Sequence, residues 1–110
     1  MDMDHTEAIF QLILHGGNAR SLAMEAIALA KNKDMAAAKQ ALNRATEELT
    51  KAHHNQTTLI QKEISGEKME LSMLLIHAQD HLMNAMTIKD LATEFVEMYG
   101  RVHECKGAGV

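Results

Sequence analysis

One short segment concentrates the side chains that could do chemistry. His77, Asp80 and His81 lie within the same turn and a half, among leucine, isoleucine and methionine residues. In a helix, residues four apart lie on one face, so the spacing puts the two imidazoles side by side. Two neighbouring imidazoles can serve as metal ligands, or as a nucleophile and its hydrogen-bond donor.

The spacing of the two histidines is compatible with three roles. Histidines with ordinary hydrogen bonds are the default. A metal site is the second, because His77-x-x-Asp80-His81 resembles the inverted zinc-protease pattern with Asp in place of Glu. That site needs a further ligand, and His53 and His54 belong to another predicted helix. The third role is nucleophilic, since an imidazole with an unperturbed pKa of about 6.5 is substantially neutral at cell pH.

Asp80 differs in polarity from the residues that share its stripe of the helix, which are Met73, Ile76 and Met83. A carboxylate in an apolar contact is costly to bury unless it is paired. A salt bridge to a lysine is one solution. Another follows from symmetry: if the stripe lies on a rotation axis, each chain brings its Asp80 to one point. Like charges there need a proton or a divalent cation with oxygen ligands.

The composition predicts an all-α protein of one domain, residues 1–110. The chain has no proline, two phenylalanines and one tyrosine, and is rich in alanine, methionine, leucine and glutamate. This mixture favours helices over strands. The net charge of −4 is unfavourable for non-specific binding of nucleic acid.

Hydropathy and cysteine content point to the cytoplasm. No apolar run approaches the roughly 20 residues that cross a bilayer, and Met1-Asp2-Met3-Asp4 does not resemble a signal peptide. We therefore expect no membrane insertion. A single cysteine, Cys105, permits no internal disulfide, which suits a reducing compartment.

Two breaks, at 32–34 and 65–66, divide the chain into three predicted helices over 4–31, 34–63 and 67–100, followed by a flexible tail over 101–110. Asp4 with Glu7, and Asp34, are the expected N-terminal caps. Gly16-Gly17 would interrupt the first helix on local propensity. The alternative is that small residues here let another helix approach closely.

The apolar stripes of these helices predict an antiparallel three-helix bundle. The second helix has an uninterrupted heptad seam, and Gln56 is its one polar member. Gln56 either sets the register of the helices or faces a site. The third helix has two apolar faces. Its first face comprises Leu71, Leu75, Ala78, Leu82, Ala85, Ala92, Val96 and Tyr99, and its second is the stripe around Asp80. One bundle buries one face of a helix, so the second face implies another chain.

The block His77-Ala78-Gln79-Asp80-His81-Leu82-Met83 resembles enzyme IIA of the lactose/cellobiose class of the sugar phosphotransferase system. The similarity extends to 17–21, 52–57, 65–67, 87–91 and 94–99, and so spans about 7–101.

The resemblance implies a three-helix fold that assembles into a homotrimer through the third helix. It implies that His77 accepts a phosphoryl group from the phosphocarrier protein HPr and passes it to a cysteine of the sugar-specific IIB component. It also implies that Asp80 of three chains holds one metal ion, usually magnesium. In this mechanism His81 is the expected supporting donor to the phosphoryl oxygens, with Gln79 and Gln56 as weaker candidates.

Two other functions remain alternatives at this point. One is a metal-dependent hydrolase that uses His77, His81 and Asp80, and the other is a structural helical adaptor. Within the resembled class, Ala78 favours cellobiose- and chitobiose-type members over lactose-type ones, so the expected cargo is a β-linked disaccharide.

Overall fold

Three α-helices make up the regular structure of the part of the chain that the computed structural model describes, residues 5–108, with side chains described to residue 105. They are α1 (His5–Lys31), α2 (Met35–Ile64) and α3 (Met73–Ala108). The bundle is elongated, measuring 64 × 23 × 19 Å. The prediction of an all-helical, three-helix fold is confirmed. Asp4, proposed as a cap, lies outside the described residues.

The core forms two clusters along the bundle. The proximal core joins the first half of α1, the second half of α2 and the first half of α3, through Ala8, Ile9, Leu12, Ala52, Leu59, Leu75, Ala78 and Leu82. The distal core joins the other halves, through Ala23, Ala26, Ala30, Ala38, Ala41, Leu42, Ala92 and Val96. This pairing shows that α2 runs antiparallel to α1 and α3. It also confirms the buried seam predicted for α2.

The turn between α1 and α2 closes on local backbone hydrogen bonds. The Lys33 N–H donates to the Ala30 carbonyl at 3.0 Å and the Asp34 N–H donates to the Leu29 carbonyl at 2.9 Å. This is the Schellman arrangement, which requires a left-handed residue, and Lys33 occupies that position with φ of 69°. Asp34 Oδ1 then accepts from the Ala37 N–H at 3.2 Å, so its predicted role as a cap of α2 is confirmed.

The predicted start of the third helix at 67 is wrong, since α3 begins at Met73. The chain leaves α2 through a second Schellman turn at Gly66, whose φ of 100° suits glycine. A loop follows until Ser72, whose Oγ accepts from the Leu75 N–H at 3.1 Å and so caps α3. Leu71 therefore precedes the helix and is 81% exposed, so its predicted place in the core is also wrong.

The predicted tail is helical as far as Ala108. His103 Nε2 donates to the carbonyl of Ala30, at the end of α1, with a distance of 2.8 Å. Arg101 and Glu97 form an ion pair one turn apart at 3.0 Å. These contacts stabilise α3 beyond Gly100, the residue at which the helix was predicted to end.

Helix α1 runs without a break through Gly16-Gly17. A Cβ built on Gly16 would lie 3.6 Å from the backbone of His81 and Leu82, so the small residue lets α1 and α3 approach closely. None of the helices in the described part is long and apolar enough to cross a membrane.

Candidate functional site

The candidate site is the turn of α3 that carries His77 and His81. Its inner face is fixed because Ala78 and Leu82 are both fully buried in the proximal core. His77 consequently points outward and is exposed, while His81 is half-buried. The two rings meet edge to face, with centroids 4.7 Å apart. The predicted sharing of one face is confirmed.

Helix α1 supports this turn from one side. A Cβ built on Gly16 would lie 3.6 Å from the backbone of His81, so α1 packs against α3 at the level of the two histidines. Close approach of another helix at Gly16-Gly17 was one of two alternatives open from the sequence, and its partner was not predicted. The partner lies 65 residues further along the chain, so helical periodicity alone contains no signal for it.

The side chains of Gln56 and Gln79 are in contact with each other. Gln56 Nε2 donates to Gln79 Oε1 at 2.8 Å, which links α2 to α3. Gln79 is two residues after His77, and side chains at that spacing point away from one another on a helix. Within one chain the amide pair therefore joins two helices at the level of the site. A contact of either amide with a phosphoryl group on His77 remains a prediction.

Asp80 lies on the exposed side of α3. Its stripe neighbours are also uncovered: Met73 is 81% exposed, Ile76 55% and Met83 52%. Among the side chains that the structure describes, no basic group forms an ion pair with Asp80, so the predicted salt bridge to a lysine is not found there. Asp80 is thus an exposed carboxylate at the centre of an uncovered apolar stripe.

A polar cluster that the sequence analysis missed joins α1 to α2. His15 Nδ1 lies 2.6 Å from Glu48 Oε2, and Asn18 Nδ2 donates to Glu48 Oε1 at 3.1 Å. Burial alone raises the pKa of the Glu48 carboxyl. Hydrogen bonds from His15 and Asn18, with the positive charges of His15 and Lys51, outweigh burial and lower that pKa below its ordinary value. His15 and Glu48 are 33 residues apart, so no local pattern indicates the pair.

The described residues do not contain the arrangement that the hydrolase alternative requires. Across the described residues, no group of three or more histidine, cysteine, aspartate or glutamate side chains could hold a metal ion. His77, His81 and Asp80 therefore do not form a three-ligand centre within one chain, and the hydrolase alternative has no support.

The chain is thus a three-helix bundle that exposes the His77 imidazole on α3. The family described as "PTS system, Lactose/Cellobiose specific IIA subunit" matches residues 7–100. The chain belongs to this family, and is thus a phosphotransferase component that carries a phosphoryl group.

Three similar proteins place the chain within the family. It is 56% identical, over the full length of both chains, to the lichenan-specific phosphotransferase enzyme IIA component of Bacillus subtilis strain 168. The crystal structure of the cellobiose-specific enzyme IIA from Bacillus anthracis is 54% identical, with a TM-score of 0.90 over 94% of this chain and 95% of that one. A second solved structure is IIA(Chitobiose) of Escherichia coli in complex with HPr. It is 38% identical, with a TM-score of 0.80 over 93% of this chain and 99% of that one.

Proposed function

We propose that His77 is the phosphoryl acceptor of this IIA component. The observation that carries the proposal is the exposure of His77 on a turn that is fixed by the buried Ala78 and Leu82. A nucleophile that must meet a donor on another protein needs to be accessible, and its position needs to be fixed so that attack is in line. The proposed donor is phospho-HPr, since a similar IIA protein forms a complex with HPr.

The proposed reaction consists of two exchanges. In the first, a nitrogen of the His77 ring attacks phosphorus, a new N–P bond forms, and the N–P bond of the donor phosphohistidine breaks. In the second, a cysteine thiolate of the IIB component attacks, an S–P bond forms and the bond to His77 breaks. The phosphoryl group brings nearly two negative charges. An N–H of His81 would donate to its oxygens, with Gln79 and Gln56 as weaker candidates.

The proposed assembly is a homotrimer built on α3. Its support is the uncovered stripe of Met73, Ile76, Asp80 and Met83, because a large exposed apolar stripe marks an interaction surface. Three Asp80 carboxylates on the axis would hold one divalent cation, and magnesium suits their oxygen ligands. That ion would neutralise the clustered charge.

The proposed cargo is a β-linked disaccharide of the cellobiose or chitobiose type, as the names of the similar proteins suggest. This would place the protein in the cytoplasm, where it would relay phosphoryl groups to the sugar-specific component. The structural-adaptor alternative does not account for membership in a phosphoryl-carrying family.

The test is a labelling experiment with phosphoenolpyruvate, enzyme I and HPr. We expect one phosphoryl group per chain, in a bond that is labile to acid and stable to base, as for phosphorus bound to nitrogen. His77→Ala should abolish labelling and retain the helical content. The matched control is His54→Ala, which removes an exposed imidazole from α2 and should label normally. Labelling of His77→Ala at the parent level would contradict the proposal.

A further inference from the structure

The imidazole of His103 joins the end of α3 to the end of α1. Its Nε2 donates to the carbonyl oxygen of Ala30 at 2.8 Å. The same oxygen accepts the Lys33 N–H at 3.0 Å, so two donors meet at the last turn of α1. The ring also stacks on Tyr99, one turn earlier on α3, with centroids 6.1 Å apart. The contacts of His103 with Ala30 and Tyr99 are hereafter the His103 clasp.

The other ring nitrogen of His103 is buried without a partner. A carbonyl oxygen only accepts hydrogen bonds, so Nε2 carries the proton of the neutral ring and Nδ1 is a bare acceptor. Among the described residues, no group forms a hydrogen bond with Nδ1. Protonation would turn Nδ1 into a buried N–H donor on a charged ring, and leaving such a donor unsatisfied costs more than leaving a neutral acceptor unpaired. The site therefore fits the neutral ring better than the imidazolium.

The charged groups near the His103 clasp come from all three helices and the turn between the first two. At the end of α1 the carbonyl dipoles attract a cation, but Lys31 and Lys33 repel one. At the start of α2 the carboxylate of Asp34 accepts the Ala37 N–H. The charged side chains nearest along α3 line a groove shared with α2, and these are Glu97, Arg101 and Glu104, with Lys39 of α2. None of the described side chains forms an ion pair with His103, so no counter-charge holds an imidazolium there.

We infer that the His103 clasp is a pH-sensitive switch at the end of the bundle. The neutral ring holds the last turns of α3 against α1, and uptake of a proton from solvent at Nδ1 releases them. The Ala30 carbonyl keeps its bond from the Lys33 N–H when the ring leaves, so the turn between α1 and α2 is retained. The change is therefore confined to α3 beyond Gly100. It does not depend on the proposed phosphoryl chemistry at His77.

The test compares His103→Gln with His103→Ala. The glutamine amide supplies a neutral N–H of similar reach and does not titrate, whereas alanine removes the donor at every pH. The 13Cα chemical shifts of residues 101–105 measure the helix content of this segment between about pH 8 and pH 5, the range in which histidine titrates. The matched control is His54→Gln, which removes an exposed imidazole from α2.

The parent and its variants should differ in how the helix content of residues 101–105 responds to pH. In the parent we expect about half or more of that helix content to be lost at the acid end of the range, while the middle of α3 is unchanged, as for local opening at a helix end. His103→Gln should stay helical throughout, His103→Ala should be frayed throughout, and His54→Gln should follow the parent. Ring 15N shifts of the parent at the basic end should show a protonated Nε2 and a bare Nδ1.

Three outcomes would overturn the inference. The first is a parent in which residues 101–105 keep the same helix content across the whole pH range. The second is an equal loss of helix in the parent and in His103→Gln, which would assign the pH response to another group. The third is full helix content for His103→Ala at the basic end, which would show that the His103 clasp does not hold the end of α3.

Discussion

The edge-to-face contact of His77 and His81 places a second imidazole one helical turn from the proposed nucleophile. We predict that His81→Ala slows labelling by phospho-HPr without abolishing it. Loss of one donor to a charged group costs about 1.5 to 3 kcal/mol, or roughly ten- to hundredfold in rate if it is felt only in the transition state. The initial rate of labelling measures this. Normal labelling of His77→Ala with none for His81→Ala would mean that the two roles are reversed.

Glu48 links the stability of the protein to pH. Its pKa in the folded chain lies below the ordinary value of 4.5, since the hydrogen bonds and positive charges around it outweigh its burial. A lowered pKa stabilises the fold above the pKa of the unfolded chain, and this contribution is lost as the pH falls through the folded pKa. We predict that Glu48→Gln lowers the free energy of unfolding at pH 7, and that the difference from the parent shrinks in acid.

Urea unfolding at pH 7 and in acid provides this measurement. The control is Glu47→Gln, which changes the neighbouring, exposed carboxylate and should show little difference from the parent at either pH. A destabilisation by Glu48→Gln that is equal at both pH values would show that the carboxylate of Glu48 does not act through its charge.

At the scale of the elements, the two interhelical turns share one hydrogen-bond arrangement but differ in the left-handed residue. Gly66 meets the requirement without strain, whereas Lys33 has a φ of 69° and a side chain that disfavours it. We predict that Lys33→Gly raises the free energy of unfolding by about 1 kcal/mol. The matched control is Lys39→Gly in the interior of α2, which should lower it by about as much. A decrease for both variants would contradict this account of the turn.

At the scale of the whole molecule, the uncovered stripe on α3 predicts self-association. Met73, Ile76 and Met83 are each more than half exposed in the single chain. We predict a homotrimer in sedimentation equilibrium. A sample that sedimented only as monomer at about ten micromolar or above, concentrations at which an obligate assembly should persist, would contradict the prediction.

A substitution of Asp80 tests how the predicted trimer is held together. We predict that Asp80→Leu retains or tightens the trimer and removes its dependence on metal, because replacing clustered charges by apolar groups is often neutral or stabilising. Thermal melts with and without chelator provide the measurement. Asp90→Leu, which alters an exposed aspartate further along α3, should retain the sensitivity to chelator. Dissociation of Asp80→Leu into monomers would show that the carboxylate itself holds the chains together.

The amino-acid sequence by itself determined the features that depend on local spacing. The composition and the two breaks identified three helices, heptad periodicity identified the buried seam of α2, and the residue type of Asp34 identified a cap. The four-residue spacing placed His77 and His81 on one face, and the motif around them indicated the family. Each follows from helix geometry or side-chain chemistry within a few residues, so no knowledge of the remaining chain is needed.

Only the tertiary structure decided the features that depend on contacts between distant segments. The helical continuation past Gly100 accompanies the bond of His103 to the Ala30 carbonyl. The pairing of Gln56 with Gln79 depends on the relative placement of α2 and α3. Gly16 differs from Gly17 because α3 packs against one of them. The helix propensity of a segment does not depend on residues in distant segments. These interhelical contacts form only when the three helices have packed together.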